Sequence, residues 1–159
     1  MKRFLKTSAI VIASAFILAQ LIPRPEKNIR KHTSTSDISK AVNLPESVSK
    51  IFQKSCYDCH SNHTNYPWYA SIQPLSLWLN HHIEEGKEEL NFSEFASYEK
   101  QKQLKKIEEI EEVVSEGEMP VSSYTLIHRN ASLSSSEKES IIAWVNATIK
   151  NIRTPGNVE

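Results

Sequence analysis

The chain is poor in the residues that build disulfide frameworks and strand-rich folds. Its 159 residues include two cysteines, three glycines and, beyond the initiator, one methionine. Two cysteines cannot form the bridged framework of a small secreted scaffold. Few glycines and few alternating β-branched runs disfavour sheets joined by tight turns. Lysine plus arginine equals aspartate plus glutamate in number, so nucleic acid is a poor candidate partner.

Apolar residues three and four positions apart instead predict an all-α fold in one domain. Gly86 is expected to end the second helix, and Ser134-Ser135-Ser136-Glu137 forms a capping box that opens the last one, which Pro155-Gly156 ends. The predicted apolar positions are Val48, Ile51 and Phe52; Leu75, Trp78, Leu79 and Ile83; Leu104, Ile107, Ile110 and Val114; and Ile141, Ile142, Trp144, Val145 and Ile149.

The N-terminus has the pattern of an export signal. Lys2, Arg3 and Lys6 precede an apolar run from about Thr7 to Ile22, and this pattern favours an uncleaved membrane anchor over a cleaved signal peptide. We therefore expect the rest of the chain on the periplasmic side of the inner membrane. We divide the chain into a signal or anchor (1–22), a flexible linker (23–43), a folded domain (44–152) and a tail (153–159).

Both cysteines lie in one motif, Cys56-Tyr57-Asp58-Cys59-His60. A thioredoxin-type dithiol is disfavoured because no βαβ pattern surrounds it. A zinc site could draw on Cys56, Cys59, His60 and His63, with His81 or His82 in reserve, but the adjacent Cys59 and His60 are badly disposed to bind one ion. The third interpretation is the C-x-x-C-H motif of covalent haem attachment.

The haem interpretation assigns a role to each residue of the motif. Cys56 and Cys59 would form two thioether bonds to the porphyrin, and His60 would be the proximal iron ligand. The export signal agrees with it, because haem c is attached outside the cytoplasm. Met119, in a Glu-Met-Pro context outside any amphipathic stripe, is the predicted sixth ligand, and His81 and His82 are the runners-up.

Several segments resemble a known family. CYDCHSNHTNYPWYA, WLNHHIEEGKEELNFSEF, EEVVSEGEMP and SSYTLIH are similar to the bacterial haem-binding domain family, from about Leu44 to Ala147. The order of helix, C-x-x-C-H, Met-Pro loop and capped last helix is also similar to small monohaem cytochromes c. The resemblance implies one covalent haem c, a small cytochrome c-like all-α domain and electron transfer.

Other conspicuous residues have less specific interpretations. His63 would lie near a haem propionate or in a solvated loop, and His128 is expected to be structural. Tyr66, Pro67, Trp68 and Tyr69 would pack against the porphyrin or in the core. The acidic half of the third helix would be a solvated face or a partner-docking patch. Its carboxylates are Glu108, Glu109, Glu111, Glu112, Glu116 and Glu118.

We predict a single-electron carrier, not an enzyme, with His60 and Met119 on the iron. Its expected partners are haem, an unidentified redox protein and the membrane, the last through the N-terminal segment. One alternative is a peroxidase-like enzyme or gas sensor with an open sixth position. The other is a zinc-stabilised interaction module.

Overall fold

The computed structural model describes residues 1–29 and 34–154. Across these residues the chain is all-α, as predicted, with one isolated β-bridge between Ile29 and His63 and no sheet. Short 3-10 turns follow Asp37, Pro67, Glu94 and His128. The α-helices are α1 (Lys2–Ala19), α2 (Glu46–Ser55), α3 (Tyr57–His60), α4 (Leu75–Glu89), α5 (Lys100–Glu116), α6 (Ser122–Thr125) and α7 (Ser135–Arg153).

The apolar stripes of the predicted helices face inward. Most of the predicted positions are buried: Val48, Ile51, Phe52, Leu79, Ile83, Ile107, Ile110, Val114, Ile141, Trp144 and Val145. Trp78, Leu104, Ile142 and Ile149 are partly buried, and Leu75, at the start of α4, is exposed. The capping box of α7 is confirmed, because the Ser134 hydroxyl accepts from the Glu137 N–H while the Glu137 carboxylate accepts from the Ser134 N–H.

Helices α5 and α7 pack against each other, and α2 contacts α7. Phe52 of α2 lies at the centre of this core. Its ring stacks on Phe92, with centroids 5.1 Å apart, and meets the edge of Trp144 at 5.3 Å. Burial of such a side chain contributes about 1.5 to 3 kcal/mol. The core thus fixes the C-terminal end of α2, where the cysteine motif begins.

The described part of 23–43 is not the flexible linker that we predicted. Ile38 is fully buried in the main core, and its N–H donates to the Phe92 carbonyl at 2.9 Å. The Asn28 side chain donates to the Ser61 carbonyl at 2.8 Å. These contacts join residues far apart in sequence, so composition did not reveal them. His32 and Pro155-Gly156 lie outside the described residues.

Helix α1 exposes its apolar side chains, including Phe4, Ile12 and Leu18. The prediction of a membrane-anchoring helix is not supported: none of the described helices combines the length and the hydrophobicity needed to cross a bilayer.

Candidate functional site

The cysteine motif forms one helical turn at the end of α2. Cys56 caps α2, and its carbonyl accepts hydrogen bonds from the N–H groups of Cys59 and His60, at 3.2 and 2.9 Å. Residues three and four positions apart lie on the same side of a helical turn. The turn therefore directs Cys56, Cys59 and His60 toward a common space.

The two thiols are free and half-buried. Burial raises the pKa of Cys56 to about 12, with a smaller contribution from the nearby Cys59, and raises the pKa of Cys59 to about 11, with Asp58 adding to the effect. A redox-active dithiol needs a lowered thiol pKa to supply thiolate. These cysteines have the opposite environment, which disfavours a thioredoxin-type function.

His60 is held in one orientation and one tautomer. Its Nδ1 lies 3.1 Å from the Leu90 carbonyl, and a carbonyl can only accept, so Nδ1 carries the proton. Burial lowers the pKa of His60, although backbone hydrogen bonds oppose the shift. The ring is therefore neutral near pH 7, and its Nε2 lone pair is available to a metal. A backbone carbonyl of this kind commonly orients a histidine that binds a metal.

Gly86 allows α4 to approach this turn closely. We predicted that it ends the helix, but α4 continues to Glu89. A Cβ added at Gly86 would lie 2.9 Å from the Cys59 carbonyl oxygen and 3.2 Å from the Cys59 Cβ. The absence of a side chain is thus required by packing against the motif, a contact that the local pattern could not reveal.

Two neighbouring cavities, of about 270 and 240 Å³, adjoin the motif. Cys56, His60, Glu89 and Met119 line both of them. The first cavity has mainly apolar walls, formed by Phe52, Leu90, Phe92, Ile110, Val113 and Val114. The second is lined by Cys59, Gly86, Pro120, Val121 and Tyr124, among other residues.

Met119 reaches these cavities from a loop that follows α5. The helix ends at Glu116, and Gly117, which follows it, has a φ of 77° in the left-handed conformation that favours glycine. The N–H groups of Glu118 and Met119 both donate to the Val113 carbonyl, at 2.9 and 3.2 Å. The structure therefore brings the predicted sixth ligand to the same cavities as His60 and Cys56.

The aromatic walls of the cavities differ from those we predicted. Phe52 and Phe92 line the first cavity and Tyr124 lines the second, whereas none of Tyr66, Pro67, Trp68 and Tyr69, all within the described chain, lines either one. Tyr69 is buried in a separate small cluster with Leu79 and Ile83, and Trp68 is 79% exposed. Sequence reasoning missed Phe92, because it follows the end of α4 in a segment without helical periodicity.

The other histidines lie in different surroundings. His82 lines the second cavity, whereas the side chain of His81 is 64% exposed and contacts Glu85. His63 lines a polar groove with Asp37 and Tyr57 on a different part of the surface. His128 is structural in character, since its Nε2 lies 2.8 Å from the Tyr69 hydroxyl.

An ion-pair group centred on the mostly buried Lys106 flanks the first cavity. The Lys106 side chain is 12% exposed, and its Nζ lies 2.6 Å from Glu109 and 3.4 Å from Glu89. Burial alone would lower the pKa of Lys106, but its hydrogen bonds to these carboxylates outweigh burial and raise that pKa. Within the acidic half of α5, Glu109 is thus paired with Lys106 and Glu108 with Arg153, whereas Glu112 and Glu116 are exposed.

The donors around the cavities fit a haem group better than a zinc ion. Across the described residues, no three His, Cys, Asp or Glu side chains are grouped to hold a metal ion, so the zinc interpretation has no ligand set there. The two cavities instead combine apolar walls with two thiols, an imidazole with an available Nε2 and a thioether. This is the chemistry that a covalently attached porphyrin and its iron require.

Comparison with known proteins gives the same cofactor. A family model described as a haem-binding domain matches residues 14–147, and it begins earlier than the region from Leu44 that the sequence motifs indicated. The packed residues Asn28 and Ile38 lie in this additional part. No curated protein and no solved structure matches the chain. The family match covers most of the chain, and the chain therefore belongs to the haem-binding domain family.

Proposed function

We propose that the chain is a c-type haem protein that carries one electron at a time. Cys56 and Cys59 would hold the porphyrin through thioether bonds, and His60 and Met119 would bind the iron. The observation that carries the proposal is that Met119 lines the same two cavities as Cys56 and His60, although 59 residues separate it from His60.

The side chains around the cavities suit such a carrier. Haem supplies a reversible one-electron couple when it is bound. His60 offers Nε2 without a conformational change, because the Leu90 carbonyl already holds Nδ1–H. The thioether of Met119 favours the reduced form and raises the potential relative to a second histidine. Apolar walls, Phe92 among them, surround most of the first cavity and limit the access of water to it.

We propose a periplasmic location on the basis of the cofactor and the N-terminal segment. Haem c is attached outside the cytoplasm, and the basic and then apolar start of the chain is the pattern of an export signal. A variant without residues 2–19 should therefore accumulate without covalent haem. Covalent haem in that variant, still in the cytoplasm, would contradict export as the function of this segment.

Covalent attachment is tested on the full chain expressed together with haem-attachment machinery. The haem should stay on the polypeptide in acid acetone and give the pyridine haemochrome spectrum of two thioether bonds. Cys56→Ala and Cys59→Ala should each leave one such bond and shift that spectrum. Haem that extracts completely from the wild-type protein would refute the proposal.

The sixth ligand is tested with three single variants. Met119→Ala should abolish the weak near-infrared charge-transfer band of thioether-bound ferric iron, lower the potential and open the ferrous form to carbon monoxide. His82→Ala tests the histidine that lines the second cavity, and His81→Ala is its matched control, exposed and next to it in α4. Loss of the wild-type spectrum in His82→Ala, but not in Met119→Ala, would assign the ligand to His82.

The same measurements separate a carrier from an enzyme or gas sensor. A carrier with both axial positions filled should bind carbon monoxide far more weakly than its Met119→Ala variant. Equally tight binding by the two proteins would mean that the iron has an open position. The function would then be reaction with peroxide or recognition of a diatomic ligand.

A further inference from the structure

One side-chain hydrogen bond joins the loop of Met119 to the cysteine motif. We call residues 118–128 the Met119 segment. Tyr124, in α6 of this segment, is buried, and its hydroxyl donates to Asp58 Oδ2 at 2.6 Å. Asp58 lies between Cys56 and Cys59, and Tyr124 lines the second cavity together with Met119. The bond therefore connects the two sides of the site directly.

The acceptor of this bond is held rigidly. The other oxygen of the same carboxylate, Asp58 Oδ1, accepts from the N–H and the side-chain amide of Asn65, each at 3.0 Å. The Asp58 carbonyl accepts from the Thr64 hydroxyl at 2.7 Å. The carboxylate is thus oriented without any help from Tyr124, and it offers its remaining oxygen at a fixed position.

The donor is held from its other side. The Tyr124 ring stacks on His128 at a centroid distance of 4.3 Å and an angle of 13°. His128 in turn lies 2.8 Å, by its Nε2, from the hydroxyl of the buried Tyr69. Among the described residues, Tyr124 to Asp58 is the side-chain hydrogen bond between the Met119 segment and the motif. Other bonds of Glu118 and Met119 lead back to α5 at Val113.

We propose that Tyr124 is a positioning residue that holds the Met119 segment closed against Asp58, and so controls how readily an external ligand replaces Met119. The inference rests on the proposed ligation by Met119 and extends it to a residue that is not among the proposed haem ligands. The segment exchanges between a closed state with the bond and an open state without it. An external ligand binds only the open state, so its apparent affinity scales with the open population.

The test is imidazole binding to the ferric holoprotein. Removal of a hydrogen bond to a charged acceptor changes an equilibrium by about tenfold or more, so Tyr124→Phe should bind imidazole about tenfold more tightly than wild type. Tyr66→Phe is the matched control, because the Tyr66 hydroxyl accepts a hydrogen bond from the Asn28 N–H at 2.7 Å, outside both the Met119 segment and the motif. An unchanged affinity in Tyr124→Phe, or an equal gain in Tyr66→Phe, would overturn the proposal.

A double-mutant cycle assigns the effect to the bond itself. Asp58→Ala should also raise the imidazole affinity, and adding Tyr124→Phe to it should give no further increase, because the two residues act through one interaction. Independent, multiplicative effects of the two substitutions would contradict the assignment.

Hydrogen exchange separates failure of this inference from failure of the Met119 ligation. Amides of 118–128 should exchange faster in Tyr124→Phe and not in Tyr66→Phe. If Met119→Ala and wild type bind imidazole equally, the ligation is wrong, but faster exchange in Tyr124→Phe still supports positioning by Tyr124. Unchanged exchange in that variant refutes the positioning, whichever residue binds the iron.

Discussion

The two sides of the site are built differently. On the His60 side, the motif ends a helix whose apolar face is buried in the main core, Phe92 packs beside it, and α4 approaches to contact distance at Gly86. On the Met119 side, a loop is connected to α5 by backbone hydrogen bonds and to the motif through Tyr124. Packing holds the first side, and individual hydrogen bonds hold the second.

This difference has a consequence for a haem protein. Local opening of a segment is easiest where few buried apolar contacts must be broken. Under the proposed ligation, opening on the Met119 side would release Met119 from the iron and leave Cys56, Cys59 and His60 in place. We therefore expect substitutions on the His60 side to change stability, and substitutions on the Met119 side to change ligand exchange.

The largest effect is expected for Phe92→Ala. Phe92 is 2% exposed, and its ring stacks on Phe52 at 5.1 Å and on Tyr57 at 5.0 Å. Truncation of a buried phenylalanine costs about 3 to 5 kcal/mol, and urea unfolding of the holoprotein measures it. Val121→Ala, in the wall of the second cavity, should cost about 1 kcal/mol. Equal losses of stability from Phe92→Ala and Val121→Ala would contradict the difference between the packed His60 side and the hydrogen-bonded Met119 side.

Two glycines provide a matched pair of substitutions. Gly86→Ala forces a Cβ to within 2.9 Å of the Cys59 carbonyl, and overpacking of this kind costs about 1 to 3 kcal/mol. Gly117→Ala introduces an alanine at a φ of 77° and costs about 1 to 2 kcal/mol in that conformation.

The paired glycine variants should differ most in their second readout. Gly86→Ala should lower the yield of covalently attached haem, because the Cys59 backbone must shift, and should leave imidazole affinity near wild type. Gly117→Ala should leave the yield unchanged and raise imidazole affinity, because it strains the turn that leads to Met119. If Gly86→Ala raised the imidazole affinity and Gly117→Ala lowered the haem yield, the Met119 side would be the more rigid one.

An ion pair makes the stability of the His60 side depend on pH. Lys54, in the last turn of α2, lies 2.6 Å from Glu137 of α7. The hydrogen bond from Lys54, followed by that from the Ser134 N–H, lowers the pKa of Glu137 to about 2. A carboxyl group whose pKa is lower in the folded state stabilises the fold at pH values above the ordinary glutamate pKa. This stabilisation is lost as the pH falls toward the folded-state pKa.

Glu137→Gln should therefore destabilise the protein at pH 7, by about 1 kcal/mol as for a partly exposed pair, and the difference from wild type should shrink between about pH 4.5 and pH 2. Urea unfolding at several pH values measures it. Glu46→Gln is the control, since Glu46 pairs with Lys50 in a fully surface position, at 81% and 72% side-chain exposure. If the loss of stability in Glu137→Gln did not depend on pH, the charge of the Glu137 carboxylate would make no contribution to stability.

The sequence predicted the parts of this site that are local. The helical stripes, the capping box of Ser134 and the motif around Cys56 depend on neighbours within a few positions. Phe92 and the pairing of Tyr124 with Asp58 could not be predicted, because each joins segments without periodicity that lie 30 or more positions apart. Gly86 shows the same limit, since its role depends on the Cys59 backbone and not on its own helix.

The smallest expected effect concerns charge at the cavities. The sequence left two interpretations of the acidic half of α5, a solvated face and a partner-docking patch, and Glu109 within it is paired with Lys106. The carboxylates that line the second cavity are Glu85 and Glu89, whose side chains are 55% and 79% exposed. A cationic redox reagent that approaches this opening should respond to them more than to Glu112 and Glu116, which are exposed on α5 and line neither cavity.

Replacement of both Glu85 and Glu89 by Gln should slow electron exchange with a cationic reagent by a factor of about two to five at 0.01 M salt, where the Debye length is about 30 Å. The difference should nearly vanish above 0.1 M, where that length is about 10 Å or less. The matched control replaces Glu112 and Glu116 by Gln, which changes the net charge equally away from the cavities. If the control slows exchange as much as the test pair, net charge alone guides the reagent, and the cavities would have no electrostatic preference of their own.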